Sequence, residues 1–403
     1  MKYIIILGDG MADMPIDVLD GKTPLMAANK PIIDKLAKLG RNGLLITVPE
    51  DMPAGSEIAN MGVLGYDVRN VYEGRGVLEA ASMGVDINEG DLGLRCNLIC
   101  IENENIKNHS AGHISNEEAA ELIETLQKKL GNEYIKFYPG VSYRHLLVIK
   151  GGHKMLNCTP PHDVPGTPYK EVMVKAVSQE AKKTTDLLND LIIRSMEILK
   201  DHPVNLKRIS EGKDPANSIW PWSPGYKPLM PKLKEMYGVG KSAVISAVDL
   251  IQGIGVYAGM NVIKVEGATG LYNTNYEGKA KAAIDALKGD TDFVYLHIEA
   301  SDEAGHEGDA ILKKETIEYL DNRILKPIWE ISKDLNEPLA IAILPDHPTP
   351  CSKRTHTHDP VPFIIYKPGE DADEVCIYDE ENAKKGSYGL MKGNEFIKAF
   401  LGL

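Results

Sequence analysis

Residues 340–365 read AIAILPDHPTPCSKRTHTHDPVPFII and place Asp346, His347, His356, His358 and Asp359 between two apolar runs. Imidazoles beside carboxylates, with no thiolate ligand among them, suit zinc, manganese or similar borderline divalent ions. Two other stretches end in the same residue types. LGDG puts Asp9 directly after an apolar run, and LHIEASDEAGHEGD puts Asp302 and His306 after another. Each has a plainer reading alone: Asp9 as a cap or turn residue, Asp302 and His306 as an i, i+4 surface pair, Asp346–His347 as an incidental dipeptide. Together they are too many ligands for one ion and suit two adjacent ions, which clamp the attacking and leaving oxygens of phosphoryl transfer. Such a site needs a nucleophile. In PEDMPAGSEIANMGVLGYD, Ser56 opens an apolar run that can start a helix, and the unpaired N–H groups there favour an alkoxide and a bound phosphate. Taken alone, Ser56 is a helix cap.

These side chains need elements that bring them together. KYIIIL (2–7) is a continuous apolar, β-branched run ending in GDG, as expected of a central parallel strand feeding a loop. KPIIDKLAKLGRNG follows, with Pro31 at a helix start, Ile32, Ile33, Leu36 and Leu39 on one face and Gly40 as the stop. GLLITV (43–48) is the next strand, so the chain opens as an α/β layer structure. The same rhythm returns late, with strands at 261–265, 293–298, 338–344 and 361–366, a helix at 311–335 and another at 393–401. SAVISAVDLIQGIGVYAGM (242–260) reads as a buried helix followed by a turn. From 86 to 235 the texture changes to helices at 116–130 and 169–200 with short strands such as 145–149, ending in the Pro- and Trp-containing stretch DPANSIWPWSPGYKPLMP. We therefore expect a discontinuous α/β domain, 1–85 with 236–403, and an inserted α+β domain, 86–235. Each candidate ligand then stands in a loop at a strand end, where open α/β sheets place their chemistry.

Length and composition bound the partners. A chain of 403 residues holds about two to three domains with full cores. The net charge of -13 argues against non-specific nucleic-acid binding, and obliges an anionic substrate to meet concentrated cations. The five cysteines show no CxxC pair, which reads as reduced thiols in a cytoplasmic protein. The N-terminal apolar run is too short for a signal segment and nothing reaches transmembrane length, so no membrane partner is expected.

The motifs LGDGMADMP (7–15), GSEIANMGVLGYD (55–67), YEGRGVLEAASMG (72–84), EGATGLYNTNYEGKA (266–280), SDEAGHEGD (301–309), PDHPTPC (345–351) and HTHDPVPF (356–363) occur in this order along the chain. In them the chain resembles the cofactor-independent phosphoglycerate mutases of archaeal type, within the alkaline phosphatase superfamily. The resemblance implies an alkaline-phosphatase-like, mostly parallel sheet with helices on both faces, and an inserted domain that closes on the substrate. It implies one ion held by Asp302, His306 and His356, and a second by Asp9, Asp346 and His347, with Ser56 as the phosphorylated nucleophile contacting it. Manganese is the common metal of the family, with zinc, cobalt or magnesium in some members. His356, six residues before the last proline of HTHDPVP, matches the ligand, and His358 falls outside the set.

For the substrate, NHSAGHISNEEA makes His109 a candidate, and YRHLLV offers Arg144, whose plainer reading is a strand-edge arginine. Arg208 and Lys279 complete the candidates. The family's phosphate-contacting lysine, in a Lys-Tyr-Ala-His stretch, is replaced here by Val256 in GVYAGM. PANSIWPWSPG (215–225) resembles a sub-branch proposed to phosphorylate homoserine, in which Trp220 and Trp222 would line a substrate pocket or plug the join between domains. The expected activity is interconversion of 3- and 2-phosphoglycerate, a small phosphorylated hydroxyacid, through a phosphoserine. A homoserine kinase-like phosphotransferase and a non-catalytic metal-binding scaffold are the alternatives.

Overall fold

The run KYIIIL forms strand Lys2–Gly8 near the middle of an eight-stranded sheet in the computed structural model, which describes residues 1–403. The strand order is Asn261–Val262, Ser242–Ile245, Phe293–Ile298, Lys2–Gly8, Leu339–Leu344, Val361–Tyr366, Arg41–Ile46 and Gly389–Lys392. The first five run parallel, and only the two ladders made by Val361–Tyr366 are antiparallel. Strands covered on both faces are apolar throughout rather than alternating, and Ile4, Ile5, Ile6 and Leu7 are all fully buried. Ile4 and Ile6 pack with Ile33 and Leu36 of helix Pro31–Leu39 and Ala280 and Ala283 of helix Tyr276–Lys288. On the other face the Tyr3 ring meets Phe400 of helix Glu395–Leu401. Helices thus cover both faces.

Two elements of this part differ from the sequence reading. Residues 242–260 are a strand, Ser242–Ile245, and a helix, Asp249–Tyr257. Ala243, Val244 and Ile245 pair in parallel with Val294, Tyr295 and Leu296, so burial between neighbours decides for strand. Helix and strand then pack so closely that a Cβ on Gly255 would lie 2.4 Å from Val244 Cγ1. The helix expected at 311–335 is Ala310–Tyr319, a π-helical turn Leu320–Leu325 and Lys326–Ile331. In that turn Asp321 accepts from the N–H groups of Ile32 and Ile33 at 2.9 and 2.7 Å, capping helix Pro31–Leu39 from a distance.

The chain divides into two compact units, Met1–Tyr72 with Leu229–Leu403, and Glu73–Pro228. The second is built on strand Leu92–Glu102, which pairs antiparallel with Asn105–Asn108, Arg144–Ile149 and Ser218–Gly225, while Ile135–Val141 pairs with Arg144–Ile149. Leu147 and Ile149 face Leu122 and Leu126 of helix Asn116–Leu130 and Leu188 and Leu191 of helix Lys182–Leu199. Leu146 and Val148 face Val77 and Ala80 of helix Arg75–Ser82. That second face moves the division to 72/73 and 228/229, against the expected 85/86 and 235/236, because helix Arg75–Ser82 is core to this unit. Gly76 comes so near that a Cβ there would sit 2.5 Å from Arg95 N.

The helix expected at 169–200 spans only Lys182–Leu199. Lys175–Ala176 instead pairs with Leu156–Asn157, and the Asn189 side chain bonds Val174 N and O at 3.2 and 3.0 Å, holding the valine-rich lead-in extended. Trp220 and Trp222 lie on strand Ser218–Gly225 inside this unit's core, with their Nε1 donating to Thr159 O and Asn97 Oδ1. All cysteines are free, and no helix is long and apolar enough to cross a membrane.

Candidate metal centre

Phe293–Ile298, Lys2–Gly8 and Leu339–Leu344 are neighbours in parallel register, with Leu7 beside both His297 and Leu344. Their following loops leave one sheet edge. Asp9 follows the middle strand, Asp302 stands in helix Ala300–Glu307 after one neighbour, and Asp346 and His347 follow the other. Gly10 makes the turn at φ 62°, where a Cβ would lie 2.5 Å from Thr349 Oγ1 and 2.6 Å from Asp302 Oδ1. Glycine alone supplies both the left-handed turn and this approach, and Gly10 N donates to Asp346 Oδ1 at 3.1 Å. Asn60 Nδ2 donates to Asp346 Oδ2 at 2.8 Å, and Tyr295 OH donates to Asn60 Oδ1 at 2.6 Å.

Asp9, Ser56, Asp302, His306, Asp346, His347 and His356 form one connected cluster within the first unit. Ser56 Oγ is 3.1 Å from His347 Nε2, which lies 3.6 Å from Asp9 Oδ1 and 3.5 Å from Asp346 Oδ2. His306 and His356 lie 3.3 and 3.4 Å from the Asp302 carboxylate and 3.0 Å from each other, Nε2 to Nε2. Ser56 is the first residue of helix Ser56–Val63, with Gly55 as the cap, so its hydroxyl serves no capping role and faces the cluster.

The imidazole tautomers follow from what the other ring nitrogens meet. His306 Nδ1 faces Arg354 O at 3.0 Å and His356 Nδ1 faces Ala54 O at 3.1 Å. Carbonyls only accept, so both Nδ1 atoms carry a proton, and each ring in its neutral form turns a bare Nε2 toward Asp302. Thr349 Oγ1 donates to Asp302 Oδ1 at 2.5 Å, leaving it to accept from His347 Nδ1 at 3.3 Å. His347 Nε2 is then bare as well. His358 behaves differently: its Nε2 donates to Met52 O at 2.8 Å, which keeps it out of the set.

Asp9, Asp302 and Asp346 are buried at 4%, 9% and 0% exposure, and Asp9 Oδ1 has no hydrogen-bond donor. Burial, with Asp346 and Asp302 alongside, pushes the Asp9 carboxyl well above the usual range. Burial acts the same way on Asp302, but His306 and His356 outweigh it and hold that carboxyl low. Hydrogen bonding to Asp302 raises His306 to about 9, so its Nε2 also takes a proton at neutral pH, one that a divalent ion would displace. Bare imidazole nitrogens converging with under-compensated carboxylates are the donor set of a divalent cation, and the residues present fit one. Ligand atoms within 4.8 Å of one another form two groups, Asp302 with His347 and His356, and Asp9 with His297 and Asp346. His347 therefore stands between the halves.

The sequence reading did not single out His297 or Thr349. A histidine inside FVYLHI, a strand otherwise fully buried and apolar but for Tyr295, was the available signal, since a buried polar ring needs a partner. Lys279 is a correction. It is fully buried, with Nζ 2.5 Å from Glu299 Oε2, and no charge is left for a substrate. Burial raises the Glu299 carboxyl, but Lys279 and His297 outweigh it and hold the group ionised.

The remaining candidates belong to the second unit. Arg208 is also a correction: 2% exposed, it spends its guanidinium on Glu118 Oε2, Asp214 O and Ala111 O. Arg144 differs, because no carboxylate pairs with it and its buried Nε has no acceptor. Its nearest company is cationic and aromatic. The guanidinium lies over Tyr143, whose ring meets His109 at 5.7 Å, and His109 meets His162 at 6.0 Å. Arg95, 5.0 Å from the Trp222 ring, has Glu79 at 3.3 Å as its ion-pair partner. Burial and the neighbouring His162 lower the His109 pKa.

A parallel sheet whose central loops gather carboxylates, imidazoles and a helix-start serine has the parts of a phosphoryl-transfer metal centre. The family model described as 2,3-bisphosphoglycerate-independent phosphoglycerate mutase matches residues 37–205. A protein of that description from Methanosarcina barkeri is 53% identical over 399 residues, covering 98% of this chain and 98% of its own. One from Methanothermobacter thermautotrophicus is 46% identical, covering 100% of this chain and 97% of its own. Among solved structures, a Pyrococcus horikoshii protein aligns with a TM-score of 0.83 at 32% identity, covering 100% of this chain and 97% of its own. A cofactor-independent phosphoglycerate mutase from Thermoplasma acidophilum aligns at 0.69 and 27%, covering 100% and 99%. The chain belongs to the 2,3-bisphosphoglycerate-independent phosphoglycerate mutase family. None of these relatives is described as a homoserine kinase, and the kinase reading has no support among them.

Proposed function

We propose that this chain interconverts 3-phosphoglycerate and 2-phosphoglycerate, with Ser56 carrying the phosphate between the two positions. The observation behind the reading is the Ser56 hydroxyl, 3.1 Å from His347 Nε2 at the start of a helix and beside three buried carboxylates, Asp9, Asp302 and Asp346. Relatives at 53% and 46% identity that carry the mutase description support it. In this reading Asp302, His306 and His356 hold one divalent ion and Asp9, Asp346, His347 and Ser56 a second. Manganese is our first choice, with zinc, cobalt or magnesium also matching these donors. Bound there, such ions neutralise phosphoryl oxygens and stabilise an alkoxide.

The chain's own residues account for the rest. Ser56 forms its Oγ–P bond as the C3 oxygen–phosphorus bond breaks, and the serine proton ends on the freed C3 hydroxyl. In the return step the C2 oxygen–phosphorus bond forms, the Oγ–P bond breaks and the C2 hydroxyl proton ends on Ser56. Transfer rather than hydrolysis requires that water be kept from the phosphoserine. We assign Arg144 and His109 to the substrate's anionic groups, on the strength of a guanidinium with no carboxylate of its own. A small phosphorylated hydroxyacid of central metabolism fits a cytoplasmic enzyme.

Ser56→Ala tests the assignment. Turnover should fall on the order of 10³-fold or more, with the fold and most metal affinity kept, because Asp9, Asp346 and His347 remain. Intact mass after mixing wild-type protein with 3-phosphoglycerate and metal should show a phosphate adduct at Ser56 that the variant lacks. Turnover by the variant near the wild-type rate would mean direct transfer between substrates and would end the proposal.

A further inference from the structure

We infer that His297 is an additional metal ligand, on the ion held by Asp9 and Asp346, and that Ser246, Glu299 and Lys279 set its tautomer and orientation. The inference rests on the metal centre proposed above and not on the identity of the substrate.

His297 is fully buried on a central strand. Its Nδ1 lies 3.2 Å from Glu299 Oε1 and 3.3 Å from Ser246 Oγ. Ser246 spends its own proton on Glu299 Oε1 at 2.9 Å, so both neighbours present acceptors to the ring and Nδ1 carries the hydrogen. Glu299 is in turn fixed by Ala247 N at 2.9 Å and by Lys279 Nζ at 2.5 Å, and Lys279 also donates to His297 O at 3.1 Å. A fully buried ion pair contributes little net stability. Here it supplies an ionised acceptor that admits one tautomer of His297.

That tautomer leaves Nε2 bare, and it points at carboxylate rather than at a donor. Nε2 is 3.2 Å from Asp9 Oδ2 and has no hydrogen-bond partner. Two atoms that both bring lone pairs require a proton or a metal between or beside them. The ligand atoms of Asp9, His297 and Asp346 lie within 4.8 Å of one another, as atoms bound at about 2.0–2.2 Å to a common ion do. His306, His347 and His356 meet the same description, each with Nδ1 tied to an acceptor and Nε2 turned inward. An outer partner that fixes the ring of a ligand histidine is the general rule at such sites.

The competing reading is an imidazolium at His297 that neutralises Asp9, and the two predict opposite signs. In calorimetric titration of His297→Ala with Mn²⁺, one binding step should weaken by roughly tenfold or more, and by more than the step that depends on Asp302, His306 and His356. Unchanged or tighter binding overturns the inference. Wild-type protein loaded with Co²⁺ gives a readout independent of any variant's folding. Each ligand histidine should contribute one exchangeable, strongly shifted N–H proton resonance, and a fourth is expected beside those of His306, His347 and His356. Three alone would overturn the assignment. In Lys279→Met that fourth resonance should shift or broaden while the others persist, and an unchanged spectrum would remove the positioning role. Mutase turnover measured in parallel separates the two readings: four resonances without turnover of 3-phosphoglycerate would sink the substrate and leave the ligand.

Discussion

In Met1–Tyr72 with Leu229–Leu403, Asp9, Asp302 and Asp346 are buried around imidazoles that offer lone pairs, whereas in Glu73–Pro228 Arg144 has no carboxylate and stands with Arg95, His109 and His162 among aromatic rings. Buried charge of one sign is costly unless something compensates it. The first unit is short of cations and the second of anions, so the two ask for different ligands. They also differ in rigidity. The carboxylates sit one to four residues beyond central strands, and backbone and side-chain donors such as Gly10 N and Asn60 Nδ2 fix Asp346. The guanidinium is carried on a long side chain at the start of strand Arg144–Ile149.

The sharpest way to break this contrast is Gly10→Ala, which alters no ligand. A Cβ at φ 62° would lie 2.6 Å from Asp302 Oδ1 and 2.8 Å from the Asp302 backbone. We expect Mn²⁺ affinity to fall by more than about tenfold and stability by about 1–3 kcal/mol. Wild-type affinity in calorimetry would show that the carboxylate geometry is softer than argued. Next in size, Arg144→Met should raise the KM for 3-phosphoglycerate roughly ten- to hundredfold, the value of a charge-assisted hydrogen bond, and leave Mn²⁺ affinity alone. A matching loss of metal affinity would erase the division of labour.

The smallest effect sharpens the contrast within the first unit. Glu380 is also buried, accepting from Asp13 N at 3.0 Å and Thr23 Oγ1 at 2.7 Å, and burial pushes its carboxyl up to about 7. Its folded pKa lies above the unfolded value, so the native state holds a proton that the unfolded chain releases. Wild-type stability is therefore lost as pH rises from the unfolded carboxyl range through about 7. Glu380→Gln removes that loss. The variant should match wild type near pH 5 and melt higher at pH 8, by about 1 kcal/mol of stability. Thermal melts at both pH values check it, and an equal difference at the two would refute the proton account. This carboxyl is satisfied by a proton, whereas in the proposed centre Asp9 is compensated by a divalent ion.

Legibility followed the same lines. The doubly covered strands announced themselves as unbroken apolar runs, and Asp9, Asp302, Asp346 and His347 stood out because each follows one. His297 did not, since a single histidine within an apolar strand resembles any satisfied core residue. Lys279 and Arg208 misled for a related reason: their partners Glu299 and Glu118 lie far along the chain, and a cation reads as free until its partner is found. The strand at Ser242–Ile245 was hidden in a stretch without periodicity, where pairing with Phe293–Ile298 decides. The π turn at Leu320–Leu325 has no marker in composition, and its role in capping helix Pro31–Leu39 depends on tertiary proximity alone.

Thr349 joins what the ligand sets divide. Its hydroxyl donates to Asp302 and accepts from His347, so one oxygen belongs to the environment of both halves. Occupation of either half that draws on Asp302 or His347 changes the bond the hydroxyl makes to the other. In the language of linkage the two occupancies share a coupling free energy, and it is reciprocal: whatever the first cation does to the affinity for the second, the second does equally to the first. In the proposed metal centre, occupancy is thus set as a pair rather than ion by ion.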